Sequence, residues 1–270
     1  MNKILSLLIL LILFSCEKRD INKPSYISIK NIYLDSTETY NITDAWIYID
    51  DNLQGVYELP AHFPILSSGT HKLRVKAGIK KNGIASSRIA YPFYTSYIID
   101  EYNFESRTTI EVNPSVESLY SNDSIFIEDF DGSGLSLETD SSTFSIENFN
   151  SIDGNYGTIN LVDSVFLSEI TTNKLENLPQ QGADVYLELD YKCDTDFLIG
   201  VYINFPGGVV KKELQLIYPQ AEWNKIYIDL TQTISEGIGA ESFKVFIGAN
   251  KGSTLETKKI YLDNLKVVFL

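Results

Sequence analysis

Two histidines, one internal cysteine and a surplus of carboxylates are the residues that could do chemistry in this chain. His62 lies between Pro60 and Pro64, and His71 follows a turn at Gly69-Thr70. A nucleophilic centre needs an imidazole poised between a nucleophile and an orienting acid. Neither local sequence offers one, and Cys193 falls in the other half of the chain, so histidine-dependent catalysis is not expected. The formal net charge of -14 excludes a nucleic-acid partner, because phosphate recognition needs a basic surface.

The densest acidic segment runs Asp129-Phe130-Asp131-Gly132-Ser133-Gly134, with Asp140 at the twelfth position. That is the spacing of a calcium loop, which requires a helix on each side. Residues 125–127 and 144–146 read as strands instead, so the helix-loop-helix reading fails. Two alternatives remain, a solvated acidic turn and a calcium site of another kind. No Cys/His spacing fits zinc. Cys193 reads as a small buried hydrophobe.

The elements that must position these residues are strands. The chain holds 17 Tyr and 14 Phe, and after the N-terminus no long helical-period window follows. In Ala45–Ile49, Gln54–Leu59, Gly69–Ala77 and Ile84–Ala90, short alternating runs are separated by turn clusters at Asp50-Asp51-Asn52 and Lys81-Asn82-Gly83. Pro60 to Pro64 is expected to break the second of these. The stretch from Thr109 to Ser124, rich in Ser, Asn and Asp, is expected to hold a domain boundary. Beyond it the strands are 125–130, 158–162, 185–191, 197–205, 209–218, 226–230, 243–247 and 259–268. The expected fold is all-β, with two antiparallel β-sandwich domains at residues 25–112 and 125–270 and a linker at 113–124.

Met1-Asn2-Lys3 followed by the apolar run Ile4–Phe14 has the form of a signal peptide. Its end, Leu13-Phe14-Ser15-Cys16, resembles the lipobox of bacterial lipoproteins. That resemblance implies removal of residues 1–15, a lipid on Cys16, a polar tether over 16–24 and a membrane-anchored, non-spanning protein. Glu17 follows the cysteine where an inner-membrane retention Asp would stand, so the outer membrane is the expected location, with either leaflet open.

Two further resemblances concern the domains. The order Ile-Tyr-Ile-Asp-Asp (47–51), then Gly-Thr-His-Lys-Leu-Arg-Val (69–75), is similar to Ig-like or PEGA-like modules of bacterial surfaces. The Trp223-Asn224-Lys225 strand and the closing Leu262-Asp263-Asn264-Leu265-Lys266-Val267 strand resemble the last strands of jelly-roll carbohydrate-binding modules. The second resemblance implies a structural calcium that ties the first strand to the last through Asp129 or Asp131 and Asp263. Glu188-Leu189-Asp190-Tyr191-Lys192-Cys193 begins like the Glu-x-Asp-x-x-Glu strand of a jelly-roll glycosidase family. Cys193 replaces the second Glu, which removes one of the two carboxylates hydrolysis requires, so a non-enzyme is expected.

Strand parity then sets out a binding face. Val185, Leu187, Leu189 and Tyr191 share the core side of one strand, as Phe197, Ile199, Val201, Ile203 and Phe205 do on the next. The opposite sides carry Tyr186, Glu188 and Asp190, then Tyr202 and Asn204, with Tyr227 and Asp229 on a later strand. Aromatic rings beside carboxylates and amides suit the C–H faces and hydroxyls of a sugar. Two function classes stand side by side, glycan binding by the second domain and docking onto an envelope protein complex.

Overall fold

The computed structural model describes residues 23–120 and 125–270; the signal peptide, Cys16 and nearly all of the tether lie outside the described residues, as do residues 121–124. The described chain is all-β apart from one short helix, α1 (Thr231–Glu236). No helix among the described residues is long and apolar enough to cross a membrane.

The N-terminal domain is built on one five-stranded sheet. In it β3 (Asp44–Ile49) lies between β4 (Asn52–Glu58) and β6 (Gly69–Lys80), while β7 (Arg88–Ala90) and β8 (Ser96–Phe104) both pair with β6. The Asp50-Asp51 turn that joins β3 to β4 has both residues at positive φ, 47° and 63°, as a tight hairpin turn requires. Facing this sheet, β1 (Ser25–Ile29) is flanked by β5 (Ala61–Ile65) and, in parallel, by β9 (Thr109–Glu111). Ile27, Ile29, Ile47, Phe63, Leu73 and Val75 fill the space between. One expectation holds in part and one needs correction. β4 ends at Glu58, ahead of Pro60, as expected, but residues 61–65 form a strand of their own, β5, which pairs with β1 and as an edge strand tolerates Pro64. The predicted linker is folded as far as Tyr120. Its β10 (Ser115–Val116) pairs in parallel with β2 (Tyr33–Leu34), and Leu119 N–H donates to the Phe93 carbonyl at 2.8 Å.

The C-terminal domain is a sandwich of two sheets. The first runs β13 (Phe144–Glu147), β14 (Tyr156–Leu161), β21 (Lys258–Phe269), β16 (Val185–Cys193), β19 (Gln220–Asp229), with β11 (Ile125–Glu128) also on β21. The second runs β12 (Leu137–Glu138), β15 (Leu167–Thr172), β20 (Ser242–Asn250), β17 (Phe197–Phe205), β18 (Gly208–Ile217). The core faces predicted by parity on β16 and β17 are the observed ones: Leu187, Leu189, Ile199 and Val201 are fully buried between the sheets.

The two domains are packed together. Tyr186, Tyr227 and Val268, on the outer face of the first sheet, belong to the core of the N-terminal domain. The β6–β7 hairpin tip reaches across as well, with Lys81 bridging in parallel to Tyr227 and Asn82 N–H donating to the Tyr227 carbonyl at 2.8 Å. The edge of β19 is thereby covered at its end, around Tyr227 and Asp229.

Candidate functional site

Parity sends Tyr186, Glu188 and Asp190 to the outer side of β16, and Tyr227 to the same side of β19. That side is not an open face. Glu188 and Asp190 are each 1% exposed, and Tyr186 and Tyr227 are buried too. The N-terminal domain lies over them because the uncovered patch would leave aromatic surface in water, and buried carboxylates in turn demand partners. Glu188 accepts a hydrogen bond from Tyr91 Oη at 2.7 Å, and Lys225 Nζ stands 3.3 Å from Glu188 and 3.9 Å from Asp190. Thr39 Oγ1 donates to Asp190, and Lys225 Nζ also donates to Thr39 Oγ1 at 3.3 Å. Nearby, Lys266 pairs with Glu38 at 2.6 Å while Tyr120 Oη donates to the same carboxylate at 2.6 Å. Burial raises the Glu38 carboxyl, but the bonds from Lys266 and Tyr120 outweigh it and hold the group below its usual value. Burial, then the Glu188 charge, pushes the Tyr91 phenol far above its ordinary value. Asp229 is half-buried and pairs with Lys81 at 3.3 Å. Five of the seven predicted ligand-binding residues therefore join the domains.

The remaining two, Tyr202 and Asn204, lie on the other sheet, whose outer side the N-terminal domain leaves open. Tyr202 stands between Lys211 of β18 and Lys244 of β20 in the strand register. Its ring packs at 5.1 Å from Phe246, and its Oη donates to Glu169 at 2.6 Å. Lys211 donates to the second oxygen of Glu169 at 2.7 Å, and its ammonium lies 4.3 Å from the Phe246 centroid. The bond to Glu169 raises the Lys211 ammonium above its ordinary value. Gly200 makes this arrangement possible: a Cβ there would approach the Phe246 ring and the Lys212 carbonyl to 2.3 Å. Beside the pair is a depression of about 280 Å³ lined in part by Leu167, Glu169, Glu213, Leu216, Phe246 and Gly248. Asn204 donates to Ser242 Oγ at 3.2 Å on the same sheet. Sequence reasoning misses Phe246, Lys211 and Glu169. Alternation alone sets Phe246 opposite Val245 and Ile247, which is the signal that finds it.

The calcium expectation rests on Asp129 or Asp131 together with Asp263. Among the described residues no three His, Cys, Asp or Glu side chains come together in a way that could hold a metal ion. Asp129 accepts the Asp131 N–H at 3.1 Å, and Asp131 accepts both the N–H and the side-chain amide of Asn155 at 2.8 Å. Asp263 is the exception, because its Oδ2 is buried without a partner. A bulge puts it there. Between Glu188 and Asp190 of β16, the paired positions on β21 step from Lys266 to Asp263, and Asn264 takes a φ of 47°. Both Asp263 and Lys266 thereby reach the outer side despite their odd spacing. Burial, with the charges of Asp190, Asp131 and Asp153, pushes the Asp263 carboxyl up to about 7.

The histidines are placed otherwise than local sequence implies. His71 does have an acid, Asp50, at 2.6 Å from Nδ1, and its Nε2 meets the Ser68 carbonyl at 3.1 Å. With both ring nitrogens engaged, it anchors the β3–β4 turn. The bond to Asp50 raises its pKa above 6.5. His62 stacks on Tyr26 at 5.2 Å. Cys193 is a free, buried thiol, as expected, and burial pushes it up to about 11, which makes it a poor nucleophile. Trp223 packs under the 149–155 loop, donating to the Asn150 carbonyl at 3.3 Å.

No family model matches the chain, and no curated protein matches it in sequence. Among solved structures it is similar to a xylan-binding domain from Paenibacillus barcinonensis, at 11% identity and a TM-score of 0.41, over 54% of this chain and 99% of that one. A family 30 carbohydrate-binding module of a Clostridium thermocellum cellulase matches at 17% identity and a TM-score of 0.38, over 54% and 91% of the two chains. A third, one of the carbohydrate-binding modules of the β-sandwich superfamily, matches at 12% identity and a TM-score of 0.43, over 92% and 99%.

Proposed function

We propose that this chain is a non-catalytic glycan-binding protein of the cell envelope, and that it binds sugar on the open outer side of the β12-β15-β20-β17-β18 sheet. The observation that carries this reading is the division of labour between the two sheets. One is committed to the N-terminal domain; the other keeps Tyr202, half-buried over Phe246, beside Glu169 and Lys211, with Glu213 in the adjoining depression. A pyranose laid against the Tyr202 ring would find acceptors in the carboxylates and a donor in Lys211. Screening the full chain in detergent against neutral envelope and plant polysaccharides by affinity electrophoresis tests it. Retardation by one glycan class is expected, and unretarded migration on all of them contradicts it.

Anchoring is the second half of the proposal. Lipid on Cys16 holds the domains at the outer membrane through the tether of residues 16–24. Cys16→Ser is expected to move the protein from the detergent-extracted membrane fraction to the freely soluble one; unchanged partition contradicts it. A calcium ion belongs to the same proposal only through Asp263, whose unpartnered Oδ2 would accept it, and not through Asp129.

A further inference from the structure

A cleft of about 450 Å³ opens between the domains, within the roughly 300–1,000 Å³ of ordinary ligand sites. Neither domain forms it alone. The N-terminal domain contributes Asn41, Lys80 and the hairpin tip 82–84, and the C-terminal domain contributes residues 215–220, Tyr191 and 224–227. Among the described residues no Asp or Glu lines it, in a chain whose net charge is -14. The open sheet is the opposite, with Glu169 and Glu213 at its depression.

The polar groups of the cleft are held in place from behind. Asn41 Nδ2 donates to Asn224 Oδ1 and to the Lys225 carbonyl, both at 3.0 Å. Asn82 Oδ1 accepts the Asp229 N–H at 2.8 Å, which leaves the Asn82 amide N–H groups to a ligand. Gln220 and the exposed Tyr218 complete a wall of amides and an aromatic ring. Lys225 is consumed by Glu188 and Asp190, but Lys80 makes no ion pair among the described residues. An ammonium with neither a counter-charge nor a neighbouring carboxylate among the described residues, set beside oriented amides, has the chemistry to pair with a negatively charged polyhydroxylated molecule.

We propose that this interdomain cleft is a second binding site, specific for an acidic oligosaccharide whose anionic group pairs with Lys80. The proposal takes from the preceding section only that the ligands are saccharides. Its charge preference is the reverse of the open sheet's, so the two sites would sort neutral from acidic segments of one polymer.

Calorimetric titration of the full chain in detergent tests this with trigalacturonate, a sulfated trisaccharide and an uncharged trisaccharide. The expected result is binding of at least one acidic probe, weakened at least tenfold by Lys80→Gln and by raised salt, and unchanged by Tyr202→Ala. Whether the uronate or the sulfate ester binds identifies the anionic group. Lys80 is partly exposed on a strand, so its substitution leaves the fold in place, and an unchanged melting temperature verifies that. Absence of acidic-probe binding, or binding indifferent to Lys80→Gln, overturns the proposal. Loss of neutral-glycan binding in Tyr202→Ala with acidic binding intact separates this site from the open sheet.

Discussion

Replacing Lys225 by methionine is expected to destabilise the protein by about 3 to 5 kcal/mol, the usual cost of breaking a buried pair from one side. Lys225 lies between Glu188 and Asp190, with all three side chains at most 2% exposed. Methionine fills much of the space but leaves both carboxylates buried without their cation. Tyr91 and Thr39 still donate to them, which softens the loss without replacing the charge. Since these partners come from the N-terminal domain, the damage falls on the contact between domains. Lys211→Met, at an exposed pair with Glu169, serves as the comparison and is expected to cost under about 1 kcal/mol. Denaturant unfolding of both variants checks this. Equal losses would show that the Lys225 network does not join the domains.

Asp263→Asn is expected to act in the other direction. A carboxyl raised to about 7 binds its proton more tightly in the folded chain than in the unfolded one, where it titrates near 3.9. Its contribution to stability is fully present below pH 3.9 and is lost as pH rises toward 7. Asparagine keeps an acceptor for the Asn264 N–H, which donates to Asp263 Oδ1 at 2.7 Å, and carries no charge at any pH. In chelated protein the variant should therefore gain on the parent progressively between pH 4 and 7, reaching on the order of 4 kcal/mol. Thermal unfolding across that range reads it. A gain independent of pH would mean that Asp263 is ionised in the folded chain at every pH tested. Added calcium extends the same measurement: a bound ion raises the melting temperature of the parent and not that of Asp263→Asn.

How much was legible from sequence follows from what each feature depends on. Alternation is a local property, so the core faces of β16 and β17 could be read from Leu187, Leu189, Ile199 and Val201 alone. The acidic loop at Asp129–Gly134 could likewise be denied its helices, because residues 125–127 and 144–146 carry strand patterns. What alternation cannot tell is which outer side meets water. Tyr186, Glu188, Asp190 and Tyr227 have the composition of a sugar site and of a polar domain contact alike. Only the docking of Tyr91, Tyr94 and the Lys81-Asn82 tip decides between them. The bulge at Asn264 is equally silent in sequence, and it determines that Asp263 shares a side with Lys266. Phe246 escapes notice for a different reason. It is an apolar residue on an outer side, made buried by Gly200 beneath it and Lys211 above.

The open sheet of the C-terminal domain is the proposed place where neutral sugar binds. Titrating the polysaccharide selected by affinity electrophoresis into the full chain and into Tyr202→Ala measures that most directly. Removal of the ring is expected to weaken binding at least tenfold, about 1.4 kcal/mol, with the melting temperature little changed. A glycan that binds both proteins with the same affinity contradicts binding on this sheet.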